Sequence, residues 1–196
     1  MHKNEQHSSE YLALNPCGQV PLLLVDGKPL SQIVAICDYL DRRYPQAGLL
    51  PPEPWQRAEA MSVFAWMNNT VHPTFTHIFR PGKFAASEAA QADIRQTAVA
   101  MFRGHLERIQ GMAEHAAPCL LGEKLSFVDA YALVFLRWAG LAGIDPASLP
   151  AYKAYVDRLA GERRQIPARP LQPALPAQRL GAQVPAPGAA EQTLAS

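Results

Sequence analysis

The sequence is short of cysteine, of excess charge of either sign and of long apolar runs, and each shortage removes a class of protein. Its three cysteines, Cys17, Cys37 and Cys119, are an odd number with no CxxC or metal-type spacing. A disulfide framework and a cysteine-rich metal site are both disfavoured, and no metal ligand is assigned. The opening Met-His-Lys lacks an apolar h-region, which with the sparse cysteines points to a reducing, cytoplasmic setting. The longest apolar stretches, such as Ala130 to Leu136, fall far short of a membrane span. Eighteen Lys and Arg against 17 Asp and Glu leave a net charge of +1, too little to argue for nucleic acid or an anionic membrane as partner. No internal repeat is visible.

What is present suffices for a buried core: 48% of the chain is hydrophobic and 18% charged. The average conceals a split. Residues 163–196 carry four arginines, one glutamate and six of the 18 prolines, so no helix or strand is expected to run through them. The remainder has a net charge of −2 and reads as a globular body, leaving 163–196 as a Pro/Ala-rich tail expected to be disordered.

Glu10 to Leu14 has the character of a short helical turn, and Asn15-Pro16-Cys17-Gly18 is a strong turn signal. Val20 to Val25 is an apolar run ended by Asp26-Gly27, with Leu30 soon after, which predicts a β-hairpin with a tight Asp-Gly turn. Pro21 belongs at the edge or first residue of its strand, since it donates no ladder hydrogen bond. From Ser31 the period becomes helical, through Ile33, Ile36, Cys37, Leu40 and Tyr44, with Ser31 as the expected N-cap. Residues 45–54 hold four prolines and a glycine and read as a linker. Helices are then predicted over 55–71, 86–115, 126–141 and 149–160, with Pro73 and Pro81-Gly82 breaking the first. Ser126-Phe127-Val128-Asp129 is a capping-box-like start, and the helix it opens is apolar nearly all round, so it is expected to run through the middle of a bundle.

Two stretches go beyond pattern. Asn15-Pro16-Cys17-Gly18-Gln19-Val20-Pro21, with Leu30-Ser31-Gln32-Ile33-Val34-Ala35-Ile36 and Tyr39-Leu40, closely resembles the NPxGxVP…L-[ST]-[EQ]-x-x-AI-xx-YL signature of cytosolic glutathione S-transferases. Phe127-Val128-Asp129-Ala130-Tyr131 and Leu136-Arg137-Trp138-Ala139 look like the capped-helix segment of that family's C-terminal domain. Val71-His72-Pro73-Thr74-Phe75 stands where bacterial, beta-class-like members carry an L-H-x-x-F element. The likeness spans roughly residues 9–162.

The resemblance implies an α/β plus all-α protein: a partial thioredoxin-like glutathione-binding part over 1–45, made of the β-hairpin and helix, a linker over 46–54, and an all-helical C-terminal domain over 55–162. It implies a cis Val20–Pro21 bond, with the Val20 backbone facing the cysteinyl part of glutathione, the co-substrate. It implies that Gln32 and the amide of Ile33, at a helix start, meet the γ-glutamyl carboxylate. The family commonly has Ser where Ile33 stands, and losing that hydroxyl is expected to weaken binding by ~1.5–3 kcal/mol. Lys3 stands where members place a basic residue toward the glycyl carboxylate. The family's catalytic Tyr, Ser or Cys lies in a βαβ unit ahead of this signature. Such a unit takes about 30 residues or more, and Asn15 has 14 before it. The expectation is therefore that the first βαβ part is lacking, that the chain carries no catalytic residue, and that conjugation of glutathione to a hydrophobic electrophile is impaired. The alternative is a non-catalytic glutathione-transferase-like binding or dimerisation module. Family habit implies a homodimer through the 55–115 helices.

Several residues keep two readings. Gln32 is the γ-glutamyl contact or an exposed polar residue of a first turn. His72 is a substrate-side contact and weak general base, its ordinary pKa being about 6.5, or a surface histidine beside a helix-breaking proline. Asn69 is a second candidate for the same wall. Phe64 and Trp66 read as core or dimer surface rather than ligand box. Asp129 reads as a structural cap, Cys37 as core, and Cys17 as a loop thiol with no basic neighbour in sequence to activate it.

Overall fold

The computed structural model describes residues 4–164, so Lys3 and the expected tail beyond Arg164 lie outside the described residues. Helix α1 (Ser9–Leu14) starts where Ser8 accepts the Tyr11 N–H and leads into the Asn15–Gly18 turn. Gly18 has φ +60°, and a Cβ there would lie 2.9 Å from the His7 ring, so both backbone and space require glycine. Asn15 and Tyr11 both donate to the Gln19 carbonyl, at 2.6 Å each, which fixes the chain entering Val20-Pro21. The Val20–Pro21 peptide is cis.

Strands β1 (Leu22–Val25) and β2 (Lys28–Ser31) pair antiparallel with Val25 opposite Lys28 and Leu22 opposite Ser31. Asp26 and Gly27 both have positive φ, as a two-residue hairpin turn with the twist of its strands demands. Pro21 immediately precedes β1, the position its missing N–H permits. Helix α2 (Ile33–Arg43) does not begin as expected. Ser31 is the last residue of β2, and the N-cap is Gln32, at φ 70° with no side-chain capping bond. The strand uses up Ser31, so the reversal from strand to helix falls on the next residue.

The proline-rich segment is tied down at Leu50, which is buried and donates its N–H to Asp41. Helix α3 (Pro54–Trp66) has Pro at its first position, and Glu53 accepts the N–H groups of Trp55 and Gln56. It does not break at Pro73. A π-helical turn over Met67–Val71 joins it to α4 (His72–Phe79), the His72 N–H reaching back to the Met67 carbonyl. The widened turn shifts the hydrogen-bond ladder just ahead of Pro73, which then occupies the opening turn of α4 where a missing N–H is tolerated. Helix α5 (Glu88–Glu114) is capped by Ser87, α6 (Phe127–Leu141) by the Ser126/Asp129 capping box, and α7 (Pro150–Arg164) runs past the expected 160.

The core is helical: Phe64, Met67, Val71, Phe102, Leu106, Ile109, Val128, Ala132, Phe135 and Tyr152 are wholly buried. Cys37 brings the inner face of α2 into the same cluster. The apolar surface of α6 is not all buried. Val128, Ala132, Phe135 and Ala139 face the bundle, while Val134 and Leu141 are exposed and Tyr131 and Trp138 half-buried. The helix has two apolar faces because it has two jobs: one packs the core, the other walls a cleft. Among the described residues no helix is long and apolar enough to cross a membrane.

Candidate functional site

The cleft, of about 290 Å³, lies between the N-terminal part and the helical bundle. One side is built by Val20, Pro21, Gln32 and Ile33. The turn anchored on the Gln19 carbonyl presents the first two, and the strand-to-helix reversal presents the others. Val20 and Gln32 are exposed to it and Ile33 is half-buried. A non-glycine residue at φ 70° costs of order 1–3 kcal/mol, strain that is characteristically kept at ligand clamps. With Gln32 as N-cap lacking a side-chain bond, the first amides of α2 keep unspent hydrogen-bonding capacity.

The opposite side comes from the π-turn, α4 and α6: Asn68, His72, Tyr131, Val134 and Trp138. The His72 ring meets Trp138 edge-on at 5.0 Å between centroids and lies 6.5 Å from Tyr131. It keeps an exposed edge, yet desolvation by these neighbours pushes its pKa below the ordinary histidine value. Tyr131 donates its hydroxyl to Asn68 Oδ1 at 3.0 Å, and burial first, then the nearby Cys37 thiol, pushes its pKa up to about 12. Burial also raises Cys37, to about 11, so that thiol stays protonated behind the wall.

Five of the residues singled out in the sequence, Val20, Pro21, Gln32, Ile33 and His72, line one cleft. Asn69 does not: it is exposed, and Asn68 takes the wall. Nothing in the Asn-Asn pair distinguishes the two; the widened turn decides it. Tyr131 and Trp138 were visible as part of an apolar helix but not as a wall, since helical period does not say which face stays open. Phe64 is core, and Trp66 packs under the Arg108 guanidinium at 4.1 Å and against His105, away from the cleft. Cys17 is exposed on its loop. Asp129 is wholly buried and accepts from the Ser126 N–H and hydroxyl, the Leu120 N–H and the Tyr155 hydroxyl. A larger cavity, about 570 Å³, sits at the far end of α2 against the linker and the segment before α6. The Asp41 and Arg57 side chains that line it are spent on each other, and none of the cleft residues reaches it.

A hairpin and helix entered through a cis-proline turn, then a proline-rich segment and a helical bundle, with a cleft where the two parts meet, define a two-part architecture. The matching family models agree. "Glutathione S-transferase, N-terminal domain" matches residues 1–42, and "Glutathione S-transferase, C-terminal domain" matches residues 65–162. The chain is 33% identical over 156 residues to the glutathione S-transferase GST-4.5 of Xanthomonas campestris, covering 79% of this chain and 76% of that protein. Among solved structures, the glutathione S-transferase from Xylella fastidiosa superposes with TM-score 0.71 at 33% identity, over 78% of this chain and 75% of that one. A glutathione transferase homologue from Sulfitobacter, solved with bound glutathione, superposes with TM-score 0.73 at 26% identity, over 81% and 76%. The chain belongs to the glutathione S-transferase family.

Proposed function

We propose that this protein binds glutathione in the cleft and joins its sulfur to a hydrophobic electrophile. The observation that carries the reading is the convergence of Val20, Pro21, Gln32 and Ile33 with His72 on one cleft. The Val20 backbone takes the cysteinyl portion in strand fashion. Gln32 and the Ile33 amide, at the positive end of α2, take the γ-glutamyl carboxylate. Ile33 offers its backbone alone, so affinity is lower by about one hydrogen bond to a charged group, ~1.5–3 kcal/mol. The electrophile lies against Tyr131, Val134 and Trp138, and proximity supplies much of the rate. A neutral His72 is suited to accept the thiol proton.

No described residue is assigned to hold the thiolate. Tyr131 is the phenol that lines the cleft, and its hydroxyl is already donated to Asn68. On this reading the 196-residue chain binds glutathione but conjugates it slowly, in a cytoplasmic setting. Titration calorimetry with glutathione and a chloro-dinitrobenzene assay test the two parts separately. Saturable binding with very low turnover is the expected result. A robust, saturable rate overturns the slow-conjugation part, and absence of glutathione binding overturns the reading in favour of a non-catalytic module. A homodimer through the 55–115 segment fits the exposure of Phe79, Phe84 and Met101 there, and light scattering tests it.

A further inference from the structure

The cavity of about 570 Å³ between the end of α2, the linker and the segment before α6 has no part in the glutathione cleft. Pro45, Leu49, Leu50, Pro51, Pro52 and Leu121 give it an apolar wall. Three exposed side chains, Tyr44, Trp55 and Leu125, each adjoin in sequence a residue that lines it. Trp55 is 71% exposed, an unusual position for an indole. Glu123 also lines the cavity and has no ion pair among the described residues. Helix α7 is directed at this end of the bundle. Tyr152 donates to the Ala132 carbonyl, Tyr155 to Asp129 and Arg158 to the Pro118 carbonyl. In that order the contacts run antiparallel to α6 and lead to residues 118–126, which close one side of the cavity.

Residues 165–196 lie outside the described residues, and their sequence has a period. Pro167, Pro170, Pro173 and Pro176 stand three apart. A polyproline II helix turns once in three residues, so residues three apart share an edge. One edge of such a helix is then all proline, and a second is Ala168, Leu171, Ala174 and Ala177. The third carries the polar Arg169 and Gln172. We propose that residues 167–176 dock at this cavity in polyproline II form, with both apolar edges inward and Arg169 toward Glu123, rather than trailing free. From Arg164 to Pro167 is three peptide steps, at most about 11 Å. The run itself spans about 28 Å. Those lengths suit a helix α7 already aimed at residues 118–126. Such a segment is stiff before it binds, so docking on exposed aromatic and apolar surface costs it little entropy. The charges agree: four arginines stand against one glutamate beyond residue 162, while the rest of the chain has a net charge of −2. Once docked, the segment braces α2, the linker and the start of α6 from outside. The inference does not depend on glutathione binding.

Paramagnetic broadening in NMR of the full chain tests this. The protein carries Cys17→Ser and a nitroxide on Gln172→Cys, on the edge turned away from the cavity; Cys37 and Cys119 are buried and stay unlabelled. In dilute solution the Trp55 indole and Gly48 amide signals are expected to lose most of their intensity. Residues 81–86, at the other end of the 27-residue α5 and about 40 Å away, keep theirs. Trp55→Ser, at an exposed site, and Leu171→Gln are each expected to restore the Gly48 signal. The same spectra show that each variant is folded. Absence of broadening, broadening spread evenly over the surface, or broadening at Gly48 that survives both substitutions overturns the proposal. So does broadening of isotope-labelled chains without nitroxide by unlabelled chains that carry it, since that result assigns the face to a second copy.

Discussion

Arg57 on α3 reaches back to α2 and places Nη1 2.6 Å from Asp41 Oδ2. The other oxygen of the same carboxylate accepts the Leu50 N–H at 3.0 Å, so one buried side chain joins α2, the linker and α3. This clamp ties α2 to the first helix of the bundle across the linker.

Asp41→Ala is expected to cost about 2–4 kcal/mol, because it strands a buried N–H and leaves Arg57 with Asp38 as its remaining partner. Urea unfolding of the wild type and the variant measures it. A loss below about 0.5 kcal/mol would show that the pair behaves as an exposed ion pair.

Asp129→Asn tests the other buried carboxylate. An exposed cap is worth about 1 kcal/mol. Asp129 also serves Leu120 and Tyr155 in a wholly buried site, and an amide cannot accept all four bonds in place. The expected loss is about 2–4 kcal/mol, with α6 and α7 loosened together in hydrogen exchange.

His72 gives a pH dependence with a definite sign. Burial lowers its pKa in the folded state, so its contribution to stability is complete above the unfolded value of about 6.5. That contribution is lost as pH falls through the unfolded value toward the lower folded one. Between about pH 7.5 and 5.5 the wild type should lose more stability than His72→Gln, and the His72 ring should titrate below about 6.5 by NMR. A midpoint above that value would contradict the packing against Trp138 and Tyr131.

Gln32 separates strain from contact. Gln32→Gly relieves the backbone at φ 70° and Gln32→Ala does not, so glycine should be the more stable by about 1 kcal/mol in thermal melts. On the proposed reading both weaken glutathione binding to a similar extent, since both remove the side-chain amide.

Much of the local structure is written in short stretches of sequence. Asp26-Gly27 specifies the hairpin turn, Ser126 with Asp129 the start of α6, and Glu53-Pro54 lies at the start of α3. The errors are equally local in cause. Ser31 is a good cap in isolation but is used by β2, and Pro73 reads as a break until the preceding turn widens to π.

The sequence by itself determined the hairpin turn and the capping-box start of α6, because turns and caps are bonds between residues a few positions apart. The tertiary structure decided that Gln32 carries the positive φ and that Asn68, not Asn69, faces inward. It also decided that the second face of α6 stays open as a wall. Tyr131 and Asn68 are 63 residues apart, and nothing in either stretch alone says which amide atom the phenol will claim. Burial and orientation there come from packing between distant segments, which no local pattern encodes.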